Sequence, residues 1–289
     1  MDLVTLTQYA INGIAVGSII ALAAVGLTLT FGILRLPNFA HGDILTAGAY
    51  FSLLINSLGV NIVLAFIGGS AIAIVGVLLC EGLIWKPMRD QGVTSTTLMI
   101  ISIGLGLFIR NAVIFFWGSS TKNYDLPVPT AVNFGAFQIR YYSLIVIGMS
   151  IVTVIGLHIL LQNTKLGKAM RAVADDIDLA RVSGIDVQQV VIATWVLAGG
   201  LTALSGSMYG LINNLNPNMG WFLILPLFAA VILGGIGNPY GAIAGAFVIG
   251  ITQDVGIYWL PEQYKLAIPL VVMILVLLLR PQGLFRGTM

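Results

Sequence analysis

The sequence predicts an all-α membrane protein, a polytopic bundle of eight or nine transmembrane spans with broken or re-entrant helices. Of its 289 residues, 58% are hydrophobic and only 8% are charged, whereas a soluble domain carries about 25% charged residues. The apolar residues come in runs of about twenty, the length that crosses a bilayer as a helix. A transmembrane β-barrel would show ten-residue alternating segments instead. Residues 1–289 are therefore predicted to form a single transmembrane domain.

Nine apolar segments are candidate spans. They are residues 7–33, 40–57, 62–84, 96–117, 142–161, 190–212, 221–236, 242–260 and 266–279. The second and seventh are short for a crossing that needs about twenty residues. The number of spans therefore becomes eight if one of them is re-entrant.

Basic residues set the orientation, because cytoplasmic loops carry an excess of Lys and Arg. With the polar segment 162–187 in the cytoplasm, nine basic residues lie inside and three lie outside. The nine are Arg35, Lys86, Arg89, Lys165, Lys168, Arg171, Arg181, Arg280 and Arg286, and the three are Lys122, Arg140 and Lys265. This assignment places the N-terminus outside and the C-terminus in the cytoplasm. It leaves Arg110 within a span, close enough to the outer end to snorkel, and puts Trp221 near an interface.

Residues 162–187 concentrate charge in a chain that has little of it elsewhere. They hold eight of the 24 charged residues, which are 13 basic and 11 acidic. Met170 belongs to an apolar face at helical spacing, and Asp175 or Asp176 can cap a second short helix that Gly184 ends. Two short amphipathic helices between two spans suit insertion into a groove of a partner protein. The alternative is a pair of helices lying on anionic lipid.

Two stretches that combine Gly, Pro and Asn predict broken helices. They are residues 35–43 and 234–241, and the similar apolar string after each hints at an internal duplication. Broken helices in corresponding halves point to a transport site, because their freed backbone groups can contact a substrate; the alternative is a tight cytoplasmic hairpin. The Asn-rich cluster at 213–218 is weak evidence, since Asn is common in turns. The residues assigned to a translocation pathway are Asn12, Asn38, His41, Gly42, Asp43, Gly234, Gly235, Gly237 and Asn238.

No catalytic constellation is evident in the sequence. It lacks the motifs HExxH, GxSxG and GxxxxGK[ST] of zinc proteases, hydrolases and ATP-binding proteins. Its single cysteine supplies neither an internal disulfide nor a cysteine metal site. We therefore predict that the chain is not an enzyme and holds no cofactor or metal. The net charge of +2 is too small to suggest nucleic-acid binding.

The sequence resembles the permease subunits of branched-chain amino acid ABC importers, and in particular the shorter of the two homologous permeases. The resemblance covers nearly the whole chain, and the combination of motifs is specific. The motifs are AVGLTL at 24–29, NFAHGD at 38–43 with AGAY at 47–50, GKAMRA at 167–172 with GI at 184–185, LGGIG at 233–237 and RPQGLF at 280–285.

The resemblance implies a permease domain in the bacterial inner membrane that works by alternating access. Its partners would be a second homologous permease, two cytoplasmic ATPases, a periplasmic amino-acid-binding protein and membrane lipid. The loop at 162–188 would couple it to the ATPases through Gly167, Lys168, Met170, Arg171, Asp175, Asp176, Ala180, Arg181 and Gly184. Broader neutral amino acids, sugars and urea stay open as substrates. A channel or secondary transporter working alone, an intramembrane enzyme and a lipid-associated scaffold are the rival classes.

Overall fold

The computed structural model describes residues 3–127, 131–134, 137–280 and 282–285. In these ranges the chain forms twelve α-helices and one antiparallel two-stranded hairpin. The elements are α1 (Leu3–Leu34), α2 (His41–Asn56), α3 (Ile62–Cys80), α4 (Lys86–Asp90), α5 (Ser95–Trp117), β1 (Ala131–Phe134), β2 (Phe137–Arg140), α6 (Tyr141–Asn163), α7 (Lys165–Asp175), α8 (Ile177–Val182), α9 (Val187–Asn213), α10 (Met219–Gly234), α11 (Pro239–Gly256) and α12 (Ala267–Leu279). A π-helical turn (Glu81–Trp85) joins α3 to α4, and a 3₁₀ turn (Glu262–Tyr264) precedes α12. Arg286, which was assigned to the cytoplasm, and Pro281 lie outside the described residues.

The prediction of an all-α polytopic bundle is confirmed. Within the described ranges, five helices are long and apolar enough to cross a membrane, and two shorter helices are also apolar. The five are Val4–Leu34, Ile62–Asp90, Ser95–Trp117, Tyr141–Asn163 and Val187–Asn213, and the two are Met219–Gly234 and Ala267–Leu279. Helices α2 and α11 occupy the other two predicted segments, so each of the nine segments contains a helix.

Helix α1 lies at the centre of the bundle, between α9 and α11. Of the residues in its most apolar 18-residue stretch, 83% are buried. A Cβ on Gly13 would lie 2.7 Å from the Cα of Ile251, and one on Gly17 would lie 3.1 Å from the Cα of Phe247. Because small residues let membrane helices approach backbone to backbone, these glycines permit the close pairing of α1 with α11.

The chain breaks in the same way after α1 and after α9. Arg35 and Asn214, which directly follow these helices, have φ angles of 50° and 64° and are the two non-glycine residues with positive φ in the described part of the chain. The side chains of Asn38 and Asn216 then accept a hydrogen bond from the backbone N–H two residues later, at 3.1 and 2.9 Å. Their backbone carbonyls accept another from the N–H three residues later, at 3.3 and 3.0 Å. The two breaks are therefore structural counterparts.

Each break leads into a short helix, and the first turns of these helices, α2 and α10, meet inside the bundle. A Cβ on Gly42 or Gly220 would overlap the backbone carbonyl of the other residue. His41 contacts Ala23 near the middle of α1 and Thr202 near the middle of α9. From this point α2 runs toward the segment that precedes the β1–β2 hairpin, and α10 runs toward the turn that packs on α6. We call this meeting point, residues 38–43 and 216–221, the half-helix junction.

The half-helix junction corrects two predictions. At 16 residues each, α2 and α10 are about 24 Å long, which is less than the hydrocarbon thickness of about 30 Å, and both begin inside the bundle. Segments 40–57 and 221–236 thus form half-helices that begin inside the bundle, instead of full-length spanning helices. The internal duplication was also aligned wrongly, because the counterpart of residues 35–42 is 214–220. Residues 234–241 form the tight turn between α10 and α11, with Gly235 and Gly237 at φ angles of 105° and 87°.

The segment before β1 is anchored on the helices and does not lie free. Tyr124 is buried, and its hydroxyl donates to the carbonyls of Ala49 at 3.2 Å and Ser207 at 3.3 Å. Burial raises the pKa of the Tyr124 hydroxyl above its usual range. The backbone N–H of Asp125 donates to the side chain of Asn56, at the end of α2. These hydrogen bonds therefore fix the segment before β1 to α2 and α9.

Candidate functional site

The α7–α8 loop, residues 162–187, is an ordered pair of helices. Thr164 caps α7 by accepting a hydrogen bond from the N–H of Gly167 at 3.0 Å. Met170 and Val173 are buried on the inner face, and a Cβ on Gly167 would overlap the carbonyl of Leu161. The guanidinium of Arg171 donates to that same carbonyl. Two side-by-side contacts thus tie α7 to the end of α6.

Helix α8 begins and ends as the sequence predicts. The carboxylate of Asp176 accepts hydrogen bonds from two backbone N–H groups of the first turn, both at 2.9 Å, which is the usual N-cap geometry. Gly184 follows the helix with a φ of 85°, where glycine is the favoured residue. Ala180 is the buried residue of α8. The prediction of two short helices, of which the second is capped by Asp175 or Asp176 and ended by Gly184, is confirmed, with Asp176 as the cap.

The predicted coupling residues divide into an inner and an outer set. Gly167, Met170 and Ala180 are buried against the bundle, and the other six are exposed: Lys168, Arg171, Asp175, Asp176, Arg181 and Gly184. Leu179 and Val182 on α8 are also 63% and 81% exposed. An exposed face that mixes charges with large apolar side chains is suited to contact with a protein. Leu179 and Val182 are candidates that the sequence analysis missed.

An ion pair lies at the half-helix junction. Arg110 of α5 binds Asp43 of α2 through two parallel hydrogen bonds, from Nε to Oδ1 at 2.9 Å and from Nη2 to Oδ2 at 3.1 Å. The two side chains are 12% and 3% exposed. The guanidinium carbon lies 4.6 Å from the ring centre of Trp221 on α10, which is cation–π geometry. Arg110 is therefore paired inside the bundle and does not snorkel, and Trp221 contacts it at the junction.

Asp43 and Trp221 hold equivalent places in the two half-helices, because each is the third residue of its helix. One arginine is thus contacted from both half-helices. The halves are also joined directly, because the N–H of Gly220 donates to the hydroxyl of Thr46 at 3.0 Å. Transporters with broken helices place their substrate sites where such half-helices meet.

His41 and Asn38 support the junction from inside the bundle. The Nε2 atom of His41 lies 2.9 Å from both the carbonyl of Ala23 and the hydroxyl of Thr202. Asn38 is fully buried, and its Nδ2 has no hydrogen-bond partner among the described residues. The structure thus brings together Asn38, His41, Gly42 and Asp43 of the pathway candidates.

The other pathway candidates lie elsewhere. Gly234, Gly235, Gly237 and Asn238 form the α10–α11 turn, where the side chain of Asn238 caps α11 by accepting from two backbone N–H groups at 3.0 and 3.1 Å. Asn12 is exposed on the first half of α1 and accepts a hydrogen bond from Gln8. Whether any of these residues lines a pathway stays a prediction.

A second buried carboxylate marks the π-helical turn. Glu81 is 3% exposed and accepts hydrogen bonds from Arg89 and from the indole N–H of Trp195 at 2.6 Å. Trp85 stacks on Trp195 with ring centres 6.1 Å apart. This cluster joins the end of α3 to α9. Its partners are separated by up to 114 positions in the sequence, so the sequence alone gave no sign of it.

The fold and the half-helix junction are typical of a membrane transport permease, because transporters often build their sites from broken helices that meet inside the bundle. The sequence matches the family described as "Branched-chain amino acid transport system / permease component" over residues 9–277. The chain therefore belongs to this permease family.

Individual permeases and one solved structure are also similar to this chain. The high-affinity branched-chain amino acid transport permease LivH of Escherichia coli is 30% identical, with 96% of this chain and 94% of that protein covered. BraD of Pseudomonas aeruginosa, which has the same description, is 29% identical over the same shares. The ribose import permease RbsC of Escherichia coli is 25% identical over 94% of this chain and 83% of that one. The solved structure of PsaBC from Streptococcus pneumoniae in complex with Fab has a TM-score of 0.53 at 16% identity, over 96% of this chain and 92% of that one, and supports the fold alone.

Proposed function

We propose that this chain is the permease subunit of an ATP-driven importer that moves branched-chain amino acids inward across the bacterial inner membrane. The proposal rests on the structure of the α7–α8 loop, in a chain that belongs to this permease family. The loop is a preformed, capped helix pair with an exposed mixed face, and the chain has no ATP-binding motif of its own.

The proposed assembly contains this chain, a second homologous permease, two cytoplasmic ATPases and a periplasmic amino-acid-binding protein. The ATPases bind the α7–α8 loop, which places that loop and the C-terminus in the cytoplasm and the N-terminus outside. The binding protein delivers substrate at the opposite end, where the β1–β2 hairpin and the Tyr124 segment lie. The excess of basic residues on the loop side supports this orientation. No cofactor, metal or nucleic acid is part of the proposal.

The contacts of the α7–α8 loop suggest how movement of the ATPases is transmitted to the helices of the bundle. Movement of α7 displaces the end of α6, because Arg171 and the close contact at Gly167 hold both helices together. Helix α6 packs on α1, and α1 supports the half-helix junction through the carbonyl of Ala23. Alternating access then consists of a change in packing at the junction, driven by closure of the ATPases.

The test uses the exposed face of α8. Leu179→Ala combined with Val182→Ala removes two apolar side chains that touch little within the chain. We expect the double variant to insert normally but to lose most co-purification with the ATPases and most ATP-dependent leucine uptake. The control is Val152→Ala on α6, a side chain that is 71% exposed. Undiminished co-purification and uptake in the double variant would contradict the proposed docking surface.

The likeness to a ribose permease favours sugars as the second substrate class. Competition settles this point in cells that contain the complete transporter and labelled leucine. We expect excess isoleucine and valine to compete and ribose to have no effect. Competition by ribose alone would replace the amino-acid assignment and leave the permease assignment standing.

A further inference from the structure

Arg110 at the half-helix junction uses only one of its two hydrogen-bonding edges. A guanidinium has five N–H donors and can bind two carboxylates, each through a pair of parallel bonds. The edge formed by Nε and Nη2 holds Asp43. Among the described residues, no hydrogen bond is made by Nη1. The edge formed by Nη1 and Nη2 therefore has no second carboxylate among the described residues.

The surroundings of this edge favour an anion. The first turns of α2 and α10 both begin at the junction, and the N-terminus of a helix carries a partial positive charge. The guanidinium of Arg110 and the two helix N-termini together supply positive charge, of which Asp43 neutralises one unit. Arginine is well suited to planar, two-pronged recognition of a carboxylate.

Trp221 packs against the guanidinium and is partly exposed itself. Its indole lies against Arg110, whose side chain is 12% exposed, and is itself 48% exposed. A ring that is half free can turn away without breaking the ion pair beneath it. The cation–π contact is worth about 0.5–2 kcal/mol, which is small enough for a charged ligand to replace it.

We propose that the free edge of Arg110 binds the α-carboxylate of the transported amino acid, with Trp221 as a movable cover. This inference rests on the proposed function and adds the atoms that recognise the substrate. A zwitterionic amino acid brings one negative and one positive charge, so the total charge of the site stays unchanged when it binds. Asp43 acts as a positioning residue that fixes the guanidinium and leaves its second edge open.

The test measures binding to the assembled permeases and ATPases without the binding protein. Leucine is titrated into the millimolar range, and the signal is the tryptophan fluorescence that is lost in Trp221→Phe. We expect leucine to change this signal and leucinol, which has an alcohol in place of the carboxylate, to leave it unchanged. This comparison uses the unaltered complex and does not depend on how any variant folds. An equal response to leucinol would overturn the proposal.

Variants then assign the carboxylate to Arg110. Arg110→Lys keeps the charge and loses the two-edged fork, and the loss of charge-assisted hydrogen bonds should weaken leucine binding about 10- to 100-fold. The control is Arg89→Lys, which changes the other buried arginine–carboxylate pair and should leave leucine binding unchanged. Parent-like binding by Arg110→Lys would overturn the proposal. ATP-dependent leucine uptake by the parent complex is measured in parallel. If the parent complex shows no uptake, the proposed function is contradicted. If uptake is present and Arg110→Lys still binds leucine like the parent, only the present inference is contradicted.

Discussion

Replacing Gly220 by alanine tests the close packing of the half-helix junction. The added Cβ would overlap the carbonyl of Gly42, and its other near neighbour is the hydroxyl of Thr46. Because backbone atoms of two helices meet here, neither a rotamer change nor a small side-chain shift relieves the overlap. Overpacking of this kind costs about 1–3 kcal/mol.

The expected effect is a lower unfolding temperature of the detergent-solubilised protein. A loss of 1 kcal/mol lowers the melting temperature of a large domain by about 2 °C or more, so Gly220→Ala should melt about 2–6 °C below the parent. The matched control is Gly148→Ala on α6, where a Cβ would meet nothing within 4 Å. Alanine in a helix is favoured over glycine by about 1 kcal/mol, so the control should melt at or above the parent. Equal melting temperatures for the two variants would refute the proposed packing of α2 on α10.

Three further substitutions test other parts of the structure. Glu81→Gln leaves Arg89 without its carboxylate and should lower the stability by about 3 kcal/mol, measured as a lower unfolding temperature; parent-like melting would contradict the buried pair. Asp176→Ala removes the N-cap of α8 and should cost about 1 kcal/mol of helix stability, seen as faster proteolysis within residues 162–187, with unchanged cleavage arguing against the cap. Tyr124→Phe loses a buried hydroxyl and should lower stability by about 1 kcal/mol near neutral pH. Because the pKa of Tyr124 is raised on folding, the parent should lose this advantage as the pH rises above about 10, and a constant difference between parent and variant at all pH values would contradict it.

The helices and the α7–α8 loop followed from local patterns in the sequence. Apolar runs predicted the apolar helices, and Asp175 or Asp176 together with Gly184 predicted where α8 begins and ends. These features depend on residues that are neighbours along the chain, so one sequence is enough to predict them.

The half-helix junction did not follow from local patterns. Asp43 and Arg110 were both visible as charges near or within spans, but they pair across 67 positions. The repeat is misaligned by composition because three stretches, 35–43, 214–220 and 234–241, all contain Gly, Pro and Asn, and only the backbone turn identifies 214–220 as the counterpart of 35–42. Composition alone does not distinguish a helix that starts inside a bundle from a tight turn at its end.

The most direct test of the proposed function is leucine uptake into liposomes that contain this chain, its partner permease and the two ATPases, with the binding protein and leucine outside. Uptake should require ATP at the ATPase side and should disappear when residues 169–181 are deleted, although the shortened chain still inserts. Leucine flux through the two permeases without the ATPases, or normal uptake by the deletion, would contradict a permease that is driven through its α7–α8 loop.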